Sequence, residues 1–395
     1  MSEWKKIKLE EVVEIGSSKR IFYKDYVPFG IPFYRSKEII EKKEGKKIND
    51  CLYITQDRYF DIKNKHGSPV EGDLLLSAVG HRSGIPYVVK DEGDFYFKDG
   101  NLIWFRNFSS ELNSTFFYYW INSGLGQATL EGAMIGSAQK ALTISGLKNL
   151  EINTPSPTEQ KTIAEVLSSL DDKIDLLNRQ NKTLEQMAET LFRQWFVEKA
   201  KGDCEYVKIG DNMEVLLGGT PSTKNEDYWD GDIPWINSGE INKDRILHPT
   251  KMITELGLNN SSTKLLPKGT TVIAITGATL GQVSRLEIEA CANQSVIGIL
   301  PNNEFSNEFI FLWIKYSIKK IISNQTGGAQ QHINSIDIKN TKILKPDESI
   351  YKLFMEIVLP KFQKITNNVL QIEKLETLRN TLLPKLMSGK IKLKM

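Results

Sequence analysis

The chain has 395 residues, of which 40% are hydrophobic and 25% charged, and its formal net charge is +2. This balance is typical of a soluble globular protein and excludes a disordered or fibrous chain. The length suits two or three domains. No apolar run approaches the ~18 residues of a membrane span, and the first residues lack the apolar core of a signal peptide. We therefore expect a cytoplasmic protein with no membrane partner.

Catalytic and metal-binding motifs are missing from the sequence. Cys51, Cys204 and Cys291 lie far apart and form no CxxC pair, which argues against a zinc knuckle or a disulfide framework. The sequence contains no GxxxxGK[ST], HExxH or Asn-Pro-Pro-Tyr run. In "PDES", Asp347 suits a helix cap better than a nuclease site, because no acid-x-Lys follows it. The sequence predicts no catalytic site, no metal site and no cofactor bound by this chain.

One short phrase occurs twice. "GIPFYRSKEI" begins at Gly30 and "DIPWINSGEI" begins at Asp232, 202 residues later. Further along, "GSAQKALTISGLKNL" from Gly136 matches "GGAQQHINSIDIKNT" from Gly327 at an offset of 191. A drifting offset is what loops of unequal length produce. The repeat covers nearly the whole chain and predicts two similar globules, residues 1–155 and 204–346.

Both globules are predicted to be α+β. Short apolar runs bounded by Gly or Pro, such as "DLLLSAVG", "IPYVVK", "NLIWF", "TVIAITG" and "CANQSVIGIL", indicate strands. The apolar spacing in "STFFYYWINSGLG" and "NEFIFLWIKYSIKKII" indicates helices instead. We therefore expect a substantial sheet in each globule.

A long helix over residues 156–203 is predicted to follow the first globule. Ser156 as N-cap, Pro157 at the first position and Glu159 form a capping-box pattern. Residues spaced alternately by four and three predict a coiled-coil seam, with Asn181 fixing its register. The seam residues are Ile163, Leu167, Leu170, Ile174, Leu177, Asn181, Leu184, Ala188, Leu191 and Trp195.

A second long helix is predicted over residues 347–395, but its pattern is poorer. Its apolar positions include Ile365, Ile372, Leu375 and Leu382. The polar residues Lys361, Asn368 and Arg379 also occupy seam positions. Pro360 should break or kink the helix, since an internal proline costs ~3 kcal/mol. A continuous helix is expected only from about Lys361 to Leu383.

Chain connectivity predicts how these parts are arranged. A helix of some 33 residues is roughly 50 Å long and would separate the two globules. The second helix can bury its stripe on the first only by running antiparallel to it. The result is a pseudo-twofold repeat of two readers on a spacer, comparable to DNA-binding dimers that meet separated half-sites. The expected ligand is an asymmetric double site in double-stranded DNA.

The sequence resembles the specificity subunit of type I restriction-modification systems. The resemblance is carried by the doubled phrase, by "GGTPSTKNEDYWDGDIPWINSGEI", by "GSAQKALTISGLKNLEINTPSPTEQKTIAEVLSSLDDKID" and by "LEQMAETLFRQWF", and it spans essentially the whole chain. It implies a non-catalytic subunit whose two target-recognition domains read the halves of a bipartite DNA site. It also implies that the helices recruit two methyltransferase subunits and, in the full complex, restriction subunits. S-adenosylmethionine would be bound by the methyltransferase partner, which would methylate adenine at N6.

Candidate DNA-binding residues follow the strands and glycine turns of each globule. Arg, Asn, Gln and Lys side chains can pair with base edges, and glycine-bounded loops can lie on phosphate. The competing interpretation is that these residues only form turns or caps. The candidates are Arg35, Ser36, Lys37, His81, Arg82, Ser83, Gln139 and Lys140 in the first globule, and Asn237, Ser238, Thr276, Thr279, Gln330, Gln331 and His332 in the second. A lysine cluster at Lys42, Lys43, Lys46 and Lys47 favours a solvated loop.

Two other functions stay open at this stage. A self-sufficient methyltransferase or nuclease would need a motif that the sequence lacks. A stand-alone DNA-binding or scaffold protein, with two globules on a coiled-coil spacer, is compatible with the same pattern. A scaffold would show no preference among duplexes of different sequence, whereas a reader would enrich one split motif.

Overall fold

The structure is a computed structural model that describes residues 4–46, 48–136, 140–198, 205–323 and 332–393. The chain divides into two compact units. Unit 1 comprises Met1–Ile174 and Lys374–Met395, and unit 2 comprises Asp175–Glu373. Each unit therefore combines one globule with a segment of both long helices.

In the described part of unit 1, the globule contains ten strands, six short α-helices and a 3-10 turn at Tyr23–Asp25. Its strands are β1 Lys5–Lys8, β2 Glu14–Gly16, β3 Tyr26–Val27, β4 Ile31–Tyr34, β5 Leu52–Ile54, β6 Leu74–Ser77, β7 Pro86–Val88, β8 Tyr96–Phe97, β9 Leu102–Arg106 and β10 Glu151–Thr154. Its helices are α1 Leu9–Val12, α2 Ser36–Lys43, α3 Gln56–His66, α4 Ser114–Asn122, α5 Gly124–Gly132 and α6 Ile144–Lys148. The strands form an antiparallel ribbon β1-β10 and two four-stranded sheets in the orders β2-β9-β6-β7 and β3-β5-β4-β8.

The first long helix, α7, spans Pro157–Arg193, and the globule of unit 2 follows it. Its strands are β11 Tyr206–Lys208, β12 Val215–Leu217, β13 Trp229–Ile236, β14 Arg245–Ile246, β15 Lys251–Ile253, β16 Thr271–Ala274, β17 Val283–Leu286, β18 Cys291–Ala292, β19 Val296–Ile299 and β20 Lys342–Leu344. Its helices are α8 Ile209–Asn212, α9 Glu255–Asn259, α10 Asn307–Ser323 and α11 Ser335–Asn340, and the second long helix is α12 Glu348–Met387. The sheets are β11-β20, β12-β19-β16-β17-β14 and β15-β13-β18.

The predicted repeat is confirmed strand by strand. The order β2-β9-β6-β7 in unit 1 returns as β12-β19-β16-β17 in unit 2, with β14 added at the edge. The parallel pair β4-β8 returns as β13-β18, and the ribbon β1-β10 returns as β11-β20. The runs predicted as strands form β6, β7, β9, β16, β18 and β19, and the runs predicted as helices form α4 and α10. The fold class is therefore α+β, as expected.

Each unit buries a core between its central sheet, its aromatic helix and the long helices. In unit 1, Phe117 and Trp120 of α4 belong to one apolar cluster with Phe105 of β9, Leu167 of α7 and Leu386 of α12. In unit 2, α10 takes the place of α4 and brings its aromatic residues against both long helices. The aromatic members of that cluster are Phe192, Phe196, Phe305, Phe309, Phe311, Trp313, Phe354 and Phe362.

The start of α7 shows the Ser156 half of the predicted capping box. The hydroxyl of Ser156 accepts a hydrogen bond from the Glu159 amide at 3.3 Å, which satisfies one of the free donors of the first turn. The seam residues face inward to different extents. Ile163, Leu167, Ile174, Leu177 and Ala188 are buried, and Leu170, Asn181, Leu184, Leu191 and Trp195 are half-buried. A π-helical turn, Gln194–Glu198, ends the helix and buries Phe196.

The expected break at Pro360 was wrong, because α12 is helical from Glu348 to Met387. Pro360 has no amide to donate to the Glu356 carbonyl. Both residues lie on the exposed side of the helix, where solvent can satisfy that oxygen. The opposite side is anchored by Phe354, Val358, Phe362 and Ile365, which are all buried. Burial of these side chains outweighs one missing hydrogen bond.

The long helices run antiparallel within each unit. In unit 1, Arg379 of α12 donates to Asp171 of α7 at 2.6 Å. In unit 2, the Asn368 amide nitrogen donates to the side-chain oxygens of Gln180 and Asn181, each at 2.8 Å. Two of the three polar seam residues of α12, Asn368 and Arg379, therefore meet polar groups of α7, whereas Lys361 donates to the Ile357 carbonyl of its own helix. Asn181 does receive a specific polar contact, as a register-fixing residue would.

Replacing Pro360 with alanine should stabilise unit 2. The substitution restores an amide donor in a helix interior, where proline is ~3 kcal/mol less favourable than alanine. We expect the free energy of unfolding to rise by about 1–3 kcal/mol, measured by urea denaturation with tryptophan fluorescence. Pro346→Ala is the control, since Pro346 precedes the helix. A destabilised Pro360→Ala chain would contradict this account of the helix.

Candidate nucleic-acid interface

A glycine-closed hairpin turn carries candidate residues in each unit. In unit 1, the Gly84 amide donates to the Ser77 carbonyl at 2.7 Å and closes the turn between β6 and β7. In unit 2, the Gly281 amide donates to the Ala274 carbonyl at 2.8 Å and closes the turn between β16 and β17. Both glycines have positive φ, +82° and +78°, a conformation that favours glycine. The two turns are therefore equivalent.

Three candidate segments of unit 1 meet at the carboxyl end of β6. The Asn101 carbonyl accepts hydrogen bonds from the Ser36 hydroxyl at 2.8 Å and from the Ala78 amide at 2.9 Å. The Ala78 carbonyl accepts from the Leu142 amide at 2.9 Å. These bonds bring together Arg35, Ser36, Lys37, His81, Arg82, Ser83 and Lys140, which we call surface 1.

Unit 2 assembles its candidates in the same way at the carboxyl end of β16. The Ile275 amide donates to the Ser295 carbonyl and the Ile333 amide donates to the Ile275 carbonyl, both at 3.0 Å. The 3-10 turns Ser238–Glu240 and Gly277–Thr279 lie in contact. We call Asn237, Ser238, Thr276, Thr279 and His332 surface 2. The remaining candidates, Gln139, Gln330 and Gln331, lie outside the described residues.

Arg35 and Asn237 occupy equivalent capping positions. The Arg35 amide donates to the Glu38 carboxylate at 2.7 Å, and the Asn237 amide donates to the Glu240 carboxylate at 2.7 Å. The Arg35 guanidinium also contacts Glu38, and this hydrogen bond raises the pKa of Arg35. The Asn237 side-chain oxygen accepts from the Gly239 amide at 2.8 Å. The capping interpretation therefore describes both residues, and a contact with bases stays a prediction.

Most other members of surface 1 present arginine, lysine or histidine side chains to solvent. His81 and Arg82 are exposed, and Arg82 makes an ion pair with Glu44. Lys37 is 59% exposed and lies 3.9 Å from Glu41, and the exposed Lys140 lies 3.2 Å from Glu131. The Ser83 hydroxyl instead donates to the Met134 sulfur at 3.6 Å.

Surface 2 carries a different chemistry on the same framework. Thr276 and Thr279 are half-buried, and His332 is exposed. The set contains hydroxyl, amide and imidazole groups but no lysine or arginine. The two surfaces therefore offer different hydrogen-bonding groups from equivalent backbone positions.

A buried ionic network in unit 2 was not predicted. Arg245 of β14 donates to Glu185 of α7 and to Glu287, both at 3.0 Å. Arg285 of β17 donates to Glu287 at 2.8 Å and to Glu308 of α10 at 3.1 Å. All five residues are buried. The network joins the sheet of unit 2 to α7 and α10.

Aromatic rings and helix α12 complete the network. The Arg245 guanidinium lies over the rings of Phe311 and Phe362, 5.2 and 4.8 Å from their centroids. Thr366 of α12 donates to the second oxygen of Glu287 at 2.9 Å. Burial raises the pKa of Glu185, while Arg245 and Lys315 oppose that shift. One sequence signal pointed here: Glu287 directly follows β17 and is two residues from Arg285, and side chains two apart along an extended segment face the same side.

Unit 1 has a smaller polar contact between its globule and α7. The Tyr119 hydroxyl donates to Asp171 at 2.7 Å, and burial together with this bond raises the pKa of Tyr119. Lys43 of α2 donates to Asn122 at 2.6 Å, and its ammonium lies 5.6 Å from the Tyr118 ring centroid. Burial lowers the pKa of Lys43 to about 8.

The lysine cluster is only in part the solvated loop that its charge pattern favoured, because Lys46 is exposed whereas Lys42 and Lys43 are not. Lys42 and Lys43 form the last turn of α2, and Lys42 makes an ion pair with Glu92. Lys46 pairs with Glu44 at 2.6 Å, and Lys47 lies outside the described residues. Helical geometry turned part of the cluster inward.

No group of three or more histidine, cysteine, aspartate or glutamate side chains could hold a metal ion within the described ranges. No helix there is long and apolar enough to cross a membrane.

Comparison with known protein families matches each half of the chain separately. The family model described as "Type I restriction modification DNA specificity domain" matches residues 1–186 and again residues 201–377. The chain belongs to this family. The two matches coincide with the internal repeat seen in sequence and fold.

Relatives in this family span almost the whole chain. The MjaIX specificity subunit of a type I restriction enzyme from Methanocaldococcus jannaschii is 26% identical, covering 99% of this chain and 94% of its own. The HindI specificity subunit from Haemophilus influenzae is 22% identical, covering 99% and 100%. The crystal structure of a type I restriction-modification S subunit from M. genitalium aligns with a TM-score of 0.64 at 18% identity, covering 99% of this chain and 96% of that one. That likeness supports the fold.

Family membership assigns the chain a role in DNA sequence specificity within a type I restriction-modification system. Specificity subunits are the non-catalytic subunits of these systems, so the chain is not an enzyme by itself. This excludes the self-sufficient methyltransferase or nuclease.

Removing the Arg245 charge should destabilise unit 2 strongly. Arg245→Met leaves Glu185 and Glu287 with less compensation in a buried site, and losing one partner of a buried pair costs about 3–5 kcal/mol. Urea denaturation of the full chain, followed by tryptophan fluorescence, measures the change. Lys268→Met is the control, because Lys268 is exposed and should change the free energy of unfolding by less than about 0.5 kcal/mol. Equal stability of the two variants would refute the proposed importance of the network.

Proposed function

We propose that the chain reads a bipartite DNA site, with surface 1 on one half and surface 2 on the other. The observation that carries the proposal is the pair of equivalent surfaces with different side chains. Each lies at the carboxyl end of the same strand of a repeated fold, β6 or β16. Equivalent positions with cations in one unit and hydroxyl or amide groups in the other suit two different base sequences.

The two surfaces would divide the work of positioning and base reading differently. Arg82, Lys37 and Lys140 are placed to contact phosphate or guanine edges once their carboxylate partners yield, and the exposed His81 lies beside Arg82. Asn237 and the threonines of surface 2 offer neutral donors and acceptors, which suit base edges better than phosphates. Half-sites of different composition are therefore expected.

The chain would act through partners. Within a type I complex in the cytoplasm, it would direct adenine-N6 methylation by two methyltransferase subunits that bind S-adenosylmethionine, and cleavage by restriction subunits. The segments of α7 and α12 in each unit, with seam residues such as Leu177 and Ile365 buried, leave the outer helix faces for these subunits. A scaffold without sequence preference is the alternative that the following test addresses.

Methylome sequencing tests the proposal directly. A host lacking the native system would express the methyltransferase with the wild-type chain, with His81→Ala/Arg82→Ala, or with Thr276→Val/Thr279→Val. We expect one split motif from the wild type. Each variant should relax or change only one half of it, and a different half for each. Loss of both halves in either variant, or no motif with the wild type, would refute the assignment of one surface to each half-site.

The long helices should set the gap between the half-sites. Four residues inserted into α7 lengthen it by about 6 Å, and a matching insertion in α12 preserves the pairing. We expect the unread gap to widen by one or two base pairs while both half-sequences stay the same, as read from the methylated motif. Four alanines inserted after Asp91, in the exposed loop at residues 90–94, serve as the control. An unchanged gap would contradict the role of the helices as a ruler.

A further inference from the structure

An unusual group of exposed aromatic side chains lies in unit 1, outside surface 1. Phe22, Tyr23 and Phe29 are 56%, 88% and 87% exposed. Tyr23 and Phe29 are the most exposed large hydrophobic side chains in the ranges that the structure describes. All three belong to the segment from residue 19 to residue 29 that precedes β4, which we call the aromatic loop. Such exposure at three positions within eight residues indicates a binding function.

The backbone of the aromatic loop is well supported. The Asp25 carboxylate accepts a hydrogen bond from the Phe22 amide at 3.2 Å. Tyr26 pairs with Ile54 in the sheet, and its ring lies 5.6 Å from that of Phe33. Gly30 ends the loop where a β-carbon would lie only 2.2 Å from the Ile54 carbonyl oxygen. The aromatic side chains are therefore presented by an ordered turn, which lowers the entropy lost on binding.

The loop is continuous with surface 1. Arg20 makes an ion pair with Asp99 at 3.0 Å, and the Gly100 amide donates to the Ser17 hydroxyl at 3.4 Å. The next residue is Asn101, whose carbonyl ties Ser36 and Ala78 together at surface 1. A ligand lying across surface 1 can reach the aromatic loop without leaving the globule.

The charge of the loop favours a polyanion. Lys19, Arg20 and Lys24 alternate with the aromatic residues and are exposed. Among the described residues, neither Lys19 nor Lys24 forms an ion pair. The single acid, Asp25, accepts the Phe22 amide bond. Basic side chains that can contact phosphates, placed beside aromatic rings that can stack on bases, are typical of nucleic-acid-binding surfaces.

The corresponding segment of unit 2 lacks this chemistry. At the offset of the repeated phrase, Phe22, Tyr23 and Phe29 correspond to Lys224, Asn225 and Gly231, and Lys24 corresponds to Glu226. The feature is therefore specific to one of the two copies and is not required by the shared fold.

We infer that the aromatic loop is a DNA-contacting wedge that acts only on the half-site held by unit 1. Tyr23 and Phe29 insert at a base step beside the sequence read by surface 1, and Lys19 and Lys24 contact the flanking phosphates. Inserted apolar side chains unstack a base step and kink the duplex, which adds affinity and a preference for deformable steps. This inference rests on the proposed reading of DNA by surface 1.

The test uses the full chain in complex with its methyltransferase partner and a duplex bearing the methylated motif. 2-Aminopurine placed at successive steps beside the unit 1 half-site reports unstacking as a rise in fluorescence. We expect a rise at one step with the wild type and none with Tyr23→Ala/Phe29→Ala. The dissociation constant of that variant should increase at least tenfold. Val70→Ala is the control, since Val70 is 59% exposed but precedes the amino end of β6.

Further variants separate the roles of rings, charge and folding. Phe29→Trp should retain most of the affinity. Lys19→Met/Lys24→Met should lower the slope of log affinity against log salt by about 0.9 for each lost phosphate contact. Because both aromatic residues project into solvent, circular dichroism should show the alanine variant folded like the wild type.

Contrary results are distinct from failure of the proposed function. A wild type that discriminates the split motif, with an alanine variant that binds as tightly, overturns the wedge and leaves surface 1 standing. Unchanged DNA affinity with weakened methyltransferase binding would also overturn it and mark a protein-docking surface instead. A wild type without sequence preference would refute the reading function itself.

Discussion

The buried contact of Arg245 with Glu185 and Glu287 fixes the geometry on which unit 2 depends. Apolar surfaces tolerate small displacements, whereas charges removed from solvent are stable only when each finds its partner. The elements β14, α7, α10 and α12 all supply groups around Arg245. A displacement of the globule along its helices would therefore leave several buried charges without partners. The sheet that presents surface 2 is thereby held in one position on its helices. In unit 1, Asp171 makes a smaller polar contact of this kind by accepting hydrogen bonds from Tyr119 and Arg379.

This division of labour leaves the reading positions free to vary. Glu38 and Glu240 engage the amides of Arg35 and Asn237 and shape the backbone that leads into each surface. The exposed side chains beyond them, such as His81 and Arg82, contribute little to the core. Under the proposed function, changes at these tips would alter the bases preferred with small effects on stability, since substitutions outside a core are usually nearly neutral.

Local patterns made much of the fold predictable. The doubled phrase, the buried strands and the capped start of α7 all depend on residues close in sequence. Pro360 was misjudged because its cost depends on Phe354 and Val358 packing on the opposite face. Arg245 was overlooked because its partners lie 60 and 42 residues away. For Arg35, the sequence allows both a capping role and a base contact. Only the position of Glu38 in the structure shows that Arg35 caps α2 in the DNA-free chain.

The ribbons β1-β10 and β11-β20 bring the two ends of each globule side by side, pairing Lys5 with Thr154 and Tyr206 with Leu344. The chain therefore enters and leaves each globule through the same two-stranded ribbon. A genetic exchange with crossovers inside the ribbon strands would transplant a complete globule while α7 and α12 keep their own sequence. The transplant succeeds only if its helix-facing residues, such as Phe117 or Arg245, are inherited with it. Under the proposed function, such an exchange would replace the preference for one half-site in a single step.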